Sequence, residues 1–396
     1  MQKTITLLKK SPIEYFSIII FSLGITLLSF IQIYFHEVFK YSVMQASILL
    51  GAATLGQFIG SLFSRKCVNY VERILARLDN QICSMRLSIS ILAIFIGILL
   101  IGFNVNHTYY GFILLSFLLG ISLAIFSPIN MVLLTVKASL EETVTVTFLR
   151  RWTLNIGSCI AFSLMGYLVH NPHQMFYTVA TVFICIGIFE LLRISRTKQI
   201  PQTIKAGIGN LSLANNSSTV WIWLIAVFLS YVIFFQTIST YPIFLQDHMN
   251  IDASHFSRLM LINVIMMIAF QFIAPIIEKR MSISNISAIG TLLIGVVLAV
   301  TVIHSYGVVI ASIVIWSIGE IFLLGVTPVY AKLFAGNDKE KNLQYSSNYY
   351  AACYLGKIIG PLAFSYCYSS FAMHKSLLLL LLLLSIVVAI CFYHLE

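Results

Sequence analysis

The chain has 396 residues, of which 59% are apolar and only 10% charged, and its mean hydropathy is +0.94. Soluble domains carry about a quarter charged residues, so this composition excludes a water-soluble enzyme or binding module and indicates an integral membrane protein. The formal charge of +10 invites a nucleic-acid reading, which the placement of that charge along the chain removes.

A bilayer core of about 30 Å needs roughly 20 mostly apolar residues per crossing helix. Twelve such runs follow one another, at about 14–36, 44–64, 87–104, 111–135, 148–169, 175–193, 219–245, 256–277, 286–304, 308–331, 346–368 and 376–393. The first follows Lys9 and Lys10 but is too long for a signal peptide and lacks a small-residue cleavage site, so a retained helix is expected. After the second run, Val68, Val71, Ile74, Leu75, Leu78 and Ile82 share one helical face, which predicts a helix lying on the inner leaflet. With the N-terminus inside, 20 of the 24 Lys and Arg fall on cytoplasmic segments, Lys40, Arg258 and Lys375 fall outside, and Lys357 falls in neither class. The positive-inside rule then places both termini in the cytoplasm and explains the basic charge without nucleic acid. An inner (cytoplasmic) membrane is the expected location. The seven cysteines form no CxxC pair, and neither a disulfide framework nor a metal knuckle is expected.

The second run ends in QFIGSLFSRK, Gln57 to Lys66, and the eighth in QFIAPIIEKR, Gln271 to Arg280, which align without a gap. SPINMVLL, Ser127 to Leu134, is echoed by TPVYAKLF, Thr327 to Phe334, and Gly157 by Gly356. The offset is about half the chain, so two six-helix units related by duplication are expected, as in many secondary transporters. The predicted division is 1–194 for the first bundle, 195–218 for a polar cytoplasmic linker containing Pro201, Gly207 and Gly209, and 219–396 for the second.

The six-plus-six repeat, the basic turns after the second and eighth spans, and the helix carrying Gly356, Gly360 and Pro361 resemble the major facilitator superfamily over essentially the whole chain. That resemblance implies an all-α fold of 12 transmembrane helices in two pseudo-repeated six-helix bundles. It also implies transport of a small molecule without a cofactor, usually by a monomer. The family's loop signature, G-x-x-x-D-[RK], appears here as Gly60, Ser64, Arg65 and Lys66, then as Ala274, Glu278, Lys279 and Arg280. The acid is missing from the first copy and kept in the second, so the first latch is expected to be weakened. GEIFLLGVTPVY, Gly319 to Tyr330, and YLGKIIGPL, Tyr354 to Leu362, look most like bacterial drug:proton antiporters. Two features of those proteins are replaced: Ser116 stands four residues before Gly120 instead of an arginine, and no acid lies near Gly24 to Leu27. By resemblance, spans one, four, seven and ten line a central cavity. Gln32, Asn130, Gln236, Thr240 and Glu320 are then candidate polar contacts, with Trp316 one turn from Glu320 and Tyr354 one turn from Lys357.

Lys357 sits inside an apolar helix, where an ionised group costs several kcal/mol unless it finds a partner. Helix rise brings Lys357 and Glu320 to similar depth on consecutive antiparallel spans, which predicts an ion pair between them. Their counterparts in the first half, Ser158 and Gly120, are neutral. Three readings stay open: a structural clamp, a proton carrier at Glu320 that releases Lys357, and a cation at Lys357 that binds a carboxylate substrate. Arg150 and Arg151 are expected to anchor the fifth span at the inner interface, and Glu190 to pair locally with Arg193. His36, His107, His170, His173, His248, His255, His304 and His374 fall at outer helix ends or loops. They suit pH sensing or metal capture as well as plain interfacial placement, and no metal site is assigned.

No Walker motif, HExxH or GxSxG is present, so an enzyme is not expected. The leading expectation is a secondary active transporter with the proton as coupling ion. Its cargo is a drug-like solute carried outward, or an organic anion or siderophore-type chelate. The alternative is a transporter-like sensor or scaffold without net flux.

Overall fold

The computed structural model describes residues 11–37, 39, 41, 43–74, 81–135, 138, 140–168, 172–196, 217–237, 240–251, 253–270, 274–277, 280–336, 338–371 and 374–395. These form fifteen α-helices and no strand: α1 (Pro12–Glu37), α2 (Val43–Ile74), α3 (Gln81–Val105), α4 (Tyr109–Thr135), α5 (Leu140–Leu168), α6 (Pro172–Arg196), α7 (Ser217–Phe234), α8 (Thr240–Met249), α9 (Ala253–Phe270), α10 (Ala274–Ile277), α11 (Ile283–Val300), α12 (Tyr306–Val326), α13 (Val329–Ala335), α14 (Lys339–Phe371) and α15 (His374–Tyr393). Seven of the described helices are each long and apolar enough to cross a bilayer. Ile98, Leu114, Ile188 and Ile225 are exposed on them, as lipid-facing surfaces require. The predicted surface helix begins as a continuation of α2 as far as Ile74, and its residues 75–80, like 197–216 of the predicted linker, lie outside the described residues.

Two predicted spans are divided. Span 219–245 is α7, a 3-10 turn over Phe235–Thr237, and α8. The turn frees carbonyls that a membrane helix must satisfy internally, and side chains in the turn take them: Gln236 Nε2 donates to the Val232 carbonyl at 2.8 Å and Thr237 Oγ1 to that of Phe234. Span 308–331 parts at Thr327–Pro328 into α12 and α13, because proline brings no N–H to the ladder. Trp223 Nε1 of α7 fills the gap by donating to the Thr327 carbonyl at 3.2 Å. Of span 256–277, α9 and α10 are helical and residues 271–273 lie outside the described residues.

The duplication read from the sequence recurs in the packing. In the first half α2 lies on α4 and α3 on α6; in the second, α9 lies on α12 and α11 on α15. The two echoing glycines do equivalent work. A Cβ on Gly157 would stand 2.7 Å from the Ile19 carbonyl oxygen of α1, and one on Gly356 would stand 2.7 Å from the Phe228 carbonyl oxygen of α7. Close backbone approach at small residues is how membrane helices gain packing without a hydrophobic drive.

The chain forms two compact units. Unit 1 comprises Met1–Ser139, Ile156–Leu211 and Ala335–Ala351; unit 2 comprises Leu140–Asn155, Ser212–Phe334 and Ala352–Glu396. Each unit therefore contains a segment from the other half of the sequence. The first four turns of α5 belong to unit 2, and the start of α14 belongs to unit 1.

Candidate functional site

Unit 2 is built around a buried acid. Glu320, on α12, accepts from Arg151 Nη2 at 2.7 Å through Oε1 and from Asn263 Nδ2 of α9 at 3.3 Å through Oε2. Asn263 Nδ2 also lies 3.1 Å from Ser317 Oγ, whose own proton goes to the Ile313 carbonyl at 2.7 Å. The side chains of Arg151 and Glu320 are 27% and 6% exposed, so the pair is largely out of water. An apolar cluster lies beside it toward the basic ends of the helices: Val144 and Phe148 of α5 pack with Met267, Ile286, Ile321, Val326 and Val329. Gly325 makes that contact possible, since a Cβ there would overlap the Phe148 ring.

Gly325→Val is therefore expected to push Phe148 and the start of α5 away from α12. Labelling of Val144→Cys by an aqueous maleimide should then quicken severalfold. Unchanged labelling would mean that the ring yields while the helix stays in place.

The predicted Glu320–Lys357 pair is replaced by Glu320–Arg151. Counting residues predicts equal depth for the two, but the Glu320 carboxylate turns toward α5 and α9, and the described contact of Lys357 Nζ is the face of the Phe235 ring at 5.4 Å. Arg151, expected as an inner-interface anchor, is instead bonded to that acid. Helix α5 begins at Leu140, eight residues before the predicted span, which carries Arg151 three turns inward. Arg150, expected at the interface too, is buried at 6% exposure. In the first half, Gly120 stands where Glu320 stands in the second. A Cβ at Gly120 would overlap the Ala53 carbonyl oxygen, so that position has no room for an acid.

The other cavity candidates sit on several helices. Asn130 is fully buried and donates through Nδ2 to the Glu14 carbonyl at 3.3 Å. Gln236 is buried in the turn after α7, Trp316 is buried on α12, and Tyr354 is half-buried on α14. The side chains of Gln32 and Thr240 lie outside the described residues.

Unit 1 holds the loop signature. A Cβ on Gly60 would overlap the Ile121 carbonyl oxygen of α4, which requires glycine where α2 meets α4. Arg65 bonds Glu340 Oε2 at 2.8 Å and Gln344 Oε1 at 3.0 Å, both on α14. Ser64 bonds Ser347, and Asn342 Nδ2 bonds Thr135 Oγ1 at 3.3 Å. The acid missing from the first signature is thus supplied by Glu340, far along the chain. Lys66 Nζ lies 5.1 Å from the Phe63 ring centroid, and Arg280 is exposed. Glu278 and Lys279 lie outside the described residues.

A second charged cluster in unit 1 escaped the sequence reading. Glu14 Oε1 of α1 accepts from Arg86 of α3 at 2.9 Å and lies 3.5 Å from Arg193 of α6. The expected Glu190–Arg193 pair is present at 3.6 Å, and Ser17 Oγ donates to Glu190 at 3.1 Å. Only Glu190 and Arg193 are close in sequence, so only that pair carried a signal.

Of the outer histidines, His173 Nδ1 lies 3.1 Å from Asn104 Oδ1, and His248 stacks on His304 at 5.6 Å. The side chains of His36, His170, His255 and His374 lie outside the described residues. Among the described residues no three metal-ligating side chains come together.

A family model described as Major Facilitator Superfamily matches residues 14–361. Among solved structures, the transporter FucP in its outward conformation aligns with a TM-score of 0.74 at 13% identity, covering 98% of this chain and 99% of its own. The proton:xylose symporter XylE aligns at 0.72 and 13%, covering 97% and 94%. A bacterial homologue of the iron transporter ferroportin, in an outward-facing state, aligns at 0.72 and 12%, covering 97% and 98%. At such identities these likenesses speak for the fold. No curated protein sequence matches the chain.

Proposed function

Since the chain belongs to the major facilitator superfamily and is a membrane transporter rather than an enzyme, we propose that it carries a small organic solute by proton-coupled alternating access, with Glu320 as the proton site and Arg151 as its counter-charge. One observation supports this reading above the rest: an arginine from the first half of the sequence is spent on an acid in the second half, at a largely buried pair. While the pair holds, the start of α5 is pinned to α12 and α9. Protonation of Glu320 removes the charge that pins it, and Arg151 can part from α12. A carrier needs such a bistable element, in which one bound species biases two arrangements.

The basic ends of the helices face the cytoplasm by the positive-inside distribution, with both termini inside an inner membrane. Arg65 with Glu340 and Gln344 then forms a second, more exposed latch on that face. Lys357 favours an anionic or metal-chelate cargo over a cationic drug, because it adds a positive charge within the membrane span. The GE and GP helices are what favour kinship with drug:proton antiporters. The scaffold alternative leaned on the degenerate first signature, and Glu340 restores the missing acid.

The test is proton movement into proteoliposomes of the purified chain, driven in turn by a panel of organic acids and of cationic aromatic compounds. Solute-dependent proton flux absent from protein-free vesicles supports the reading. Binding without flux across the panel would favour the scaffold.

A further inference from the structure

The α5–α12 contact is antiparallel, and two rungs fix its register: Phe148 meets Gly325, and Arg151 meets Glu320. One helical turn further from the apolar cluster, extending the same register points to Asn155 of α5 and Trp316 of α12 as the next rung. Both carry a buried donor without an acceptor, Asn155 Nδ2 and Trp316 Nε1, and so does Arg151 at Nε. Trp316 is 1% exposed. Buried donors are normally satisfied, and leaving one bare costs about as much as the bond it forgoes. Three on two adjoining rungs of one helix pair form a site that asks for acceptors.

We propose that these atoms bind the carboxylate of a small organic acid. This rests on the transport reading above and names its substrate class. A carboxylate only accepts, so its two oxygens can take the Arg151 Nε–H and the donors of the Asn155–Trp316 rung while requiring nothing in return. A hydroxyl or an amide brings protons of its own, and both oxygens of Glu320 are already engaged by Arg151 and Asn263.

The experiment measures ligand-induced thermal stabilisation of the full chain in detergent, using lactate, gluconate and benzoate, each beside its primary amide. Wild type should bind at least one acid about tenfold more tightly than its amide. Trp316→Phe keeps the ring and removes the N–H; Asn155→Leu removes the amide; Arg151→Lys keeps the charge and removes Nε–H. Each should weaken that acid by about threefold to tenfold. Equal binding of acid and amide, binding of no acid in the panel, or folded variants that bind the acid like wild type would each overturn the assignment. The acid–amide comparison uses wild type alone, so it stands even where a variant folds poorly. Proton flux in vesicles that persists when acid and amide bind alike would sink this inference alone. Acid-selective binding without flux would sink the transport reading instead.

Discussion

Glu320→Gln is expected to uncouple proton movement from transport while the protein still folds. Glutamine keeps the shape of the side chain and its carbonyl can still accept from Arg151, so the packing around α12 survives. What disappears is the charge. Removing one member of a buried pair destabilises the paired state by about 3–5 kcal/mol, and the partial exposure of Arg151 brings that to about 2 kcal/mol here. An effect of that size moves the balance between paired and parted arrangements more than about tenfold. A pH-sensitive dye inside proteoliposomes should show solute-driven proton flux falling by at least that factor, while solute exchange without a gradient persists. Full proton flux in the variant would remove Glu320 from the coupling role.

Glu14→Ala is expected to be the most destabilising single change in unit 1. Its carboxylate is 3% exposed and serves Arg86, itself 7% exposed, together with Arg193. Deleting it leaves arginine charge buried against α1, at a cost of about 3–5 kcal/mol. That is a large part of the 5–15 kcal/mol that typically holds a folded domain together. The cluster ties α1 to α3 and α6, and Asn130 of α4 holds the Glu14 carbonyl. Thermal unfolding in detergent should show a fall of many degrees for Glu14→Ala and a smaller one for Glu14→Gln, which keeps an acceptor. A melting temperature unchanged in both variants would mean that the arginines find water or another acid.

The helical plan was legible because bilayer thickness imposes a run length and the repeat copies it. The breaks in the helices were less so: Pro328 interrupts the tenth span, while its counterpart Pro128 sits within the continuous α4. The candidate acid was also legible, since Glu320 is a charge in an apolar run. Its partner was not. Depth follows from counting residues, but the direction a side chain faces depends on which helices surround it, and the start of α5 is too polar to read as membrane span, which leaves Arg151 without a signal in the sequence. The same limit hid Glu14 and Arg86, which are 72 residues apart and meet only once α1 and α3 are placed together. Latch geometry was half legible: the signature named Arg65, and only the structure supplied Glu340 from the start of α14.

The central claim is that the Arg151–Glu320 contact forms and breaks. It is tested most directly by the spin-label distance between Thr145→Cys on α5 and Leu333→Cys on α13, in a background with the native cysteines replaced and the protein in nanodiscs. Two distance populations are predicted, with Glu320→Gln and acidic pH both enriching the longer one. A single distance, the same at every pH and in the variant, would contradict the account and leave the pair as a fixed brace.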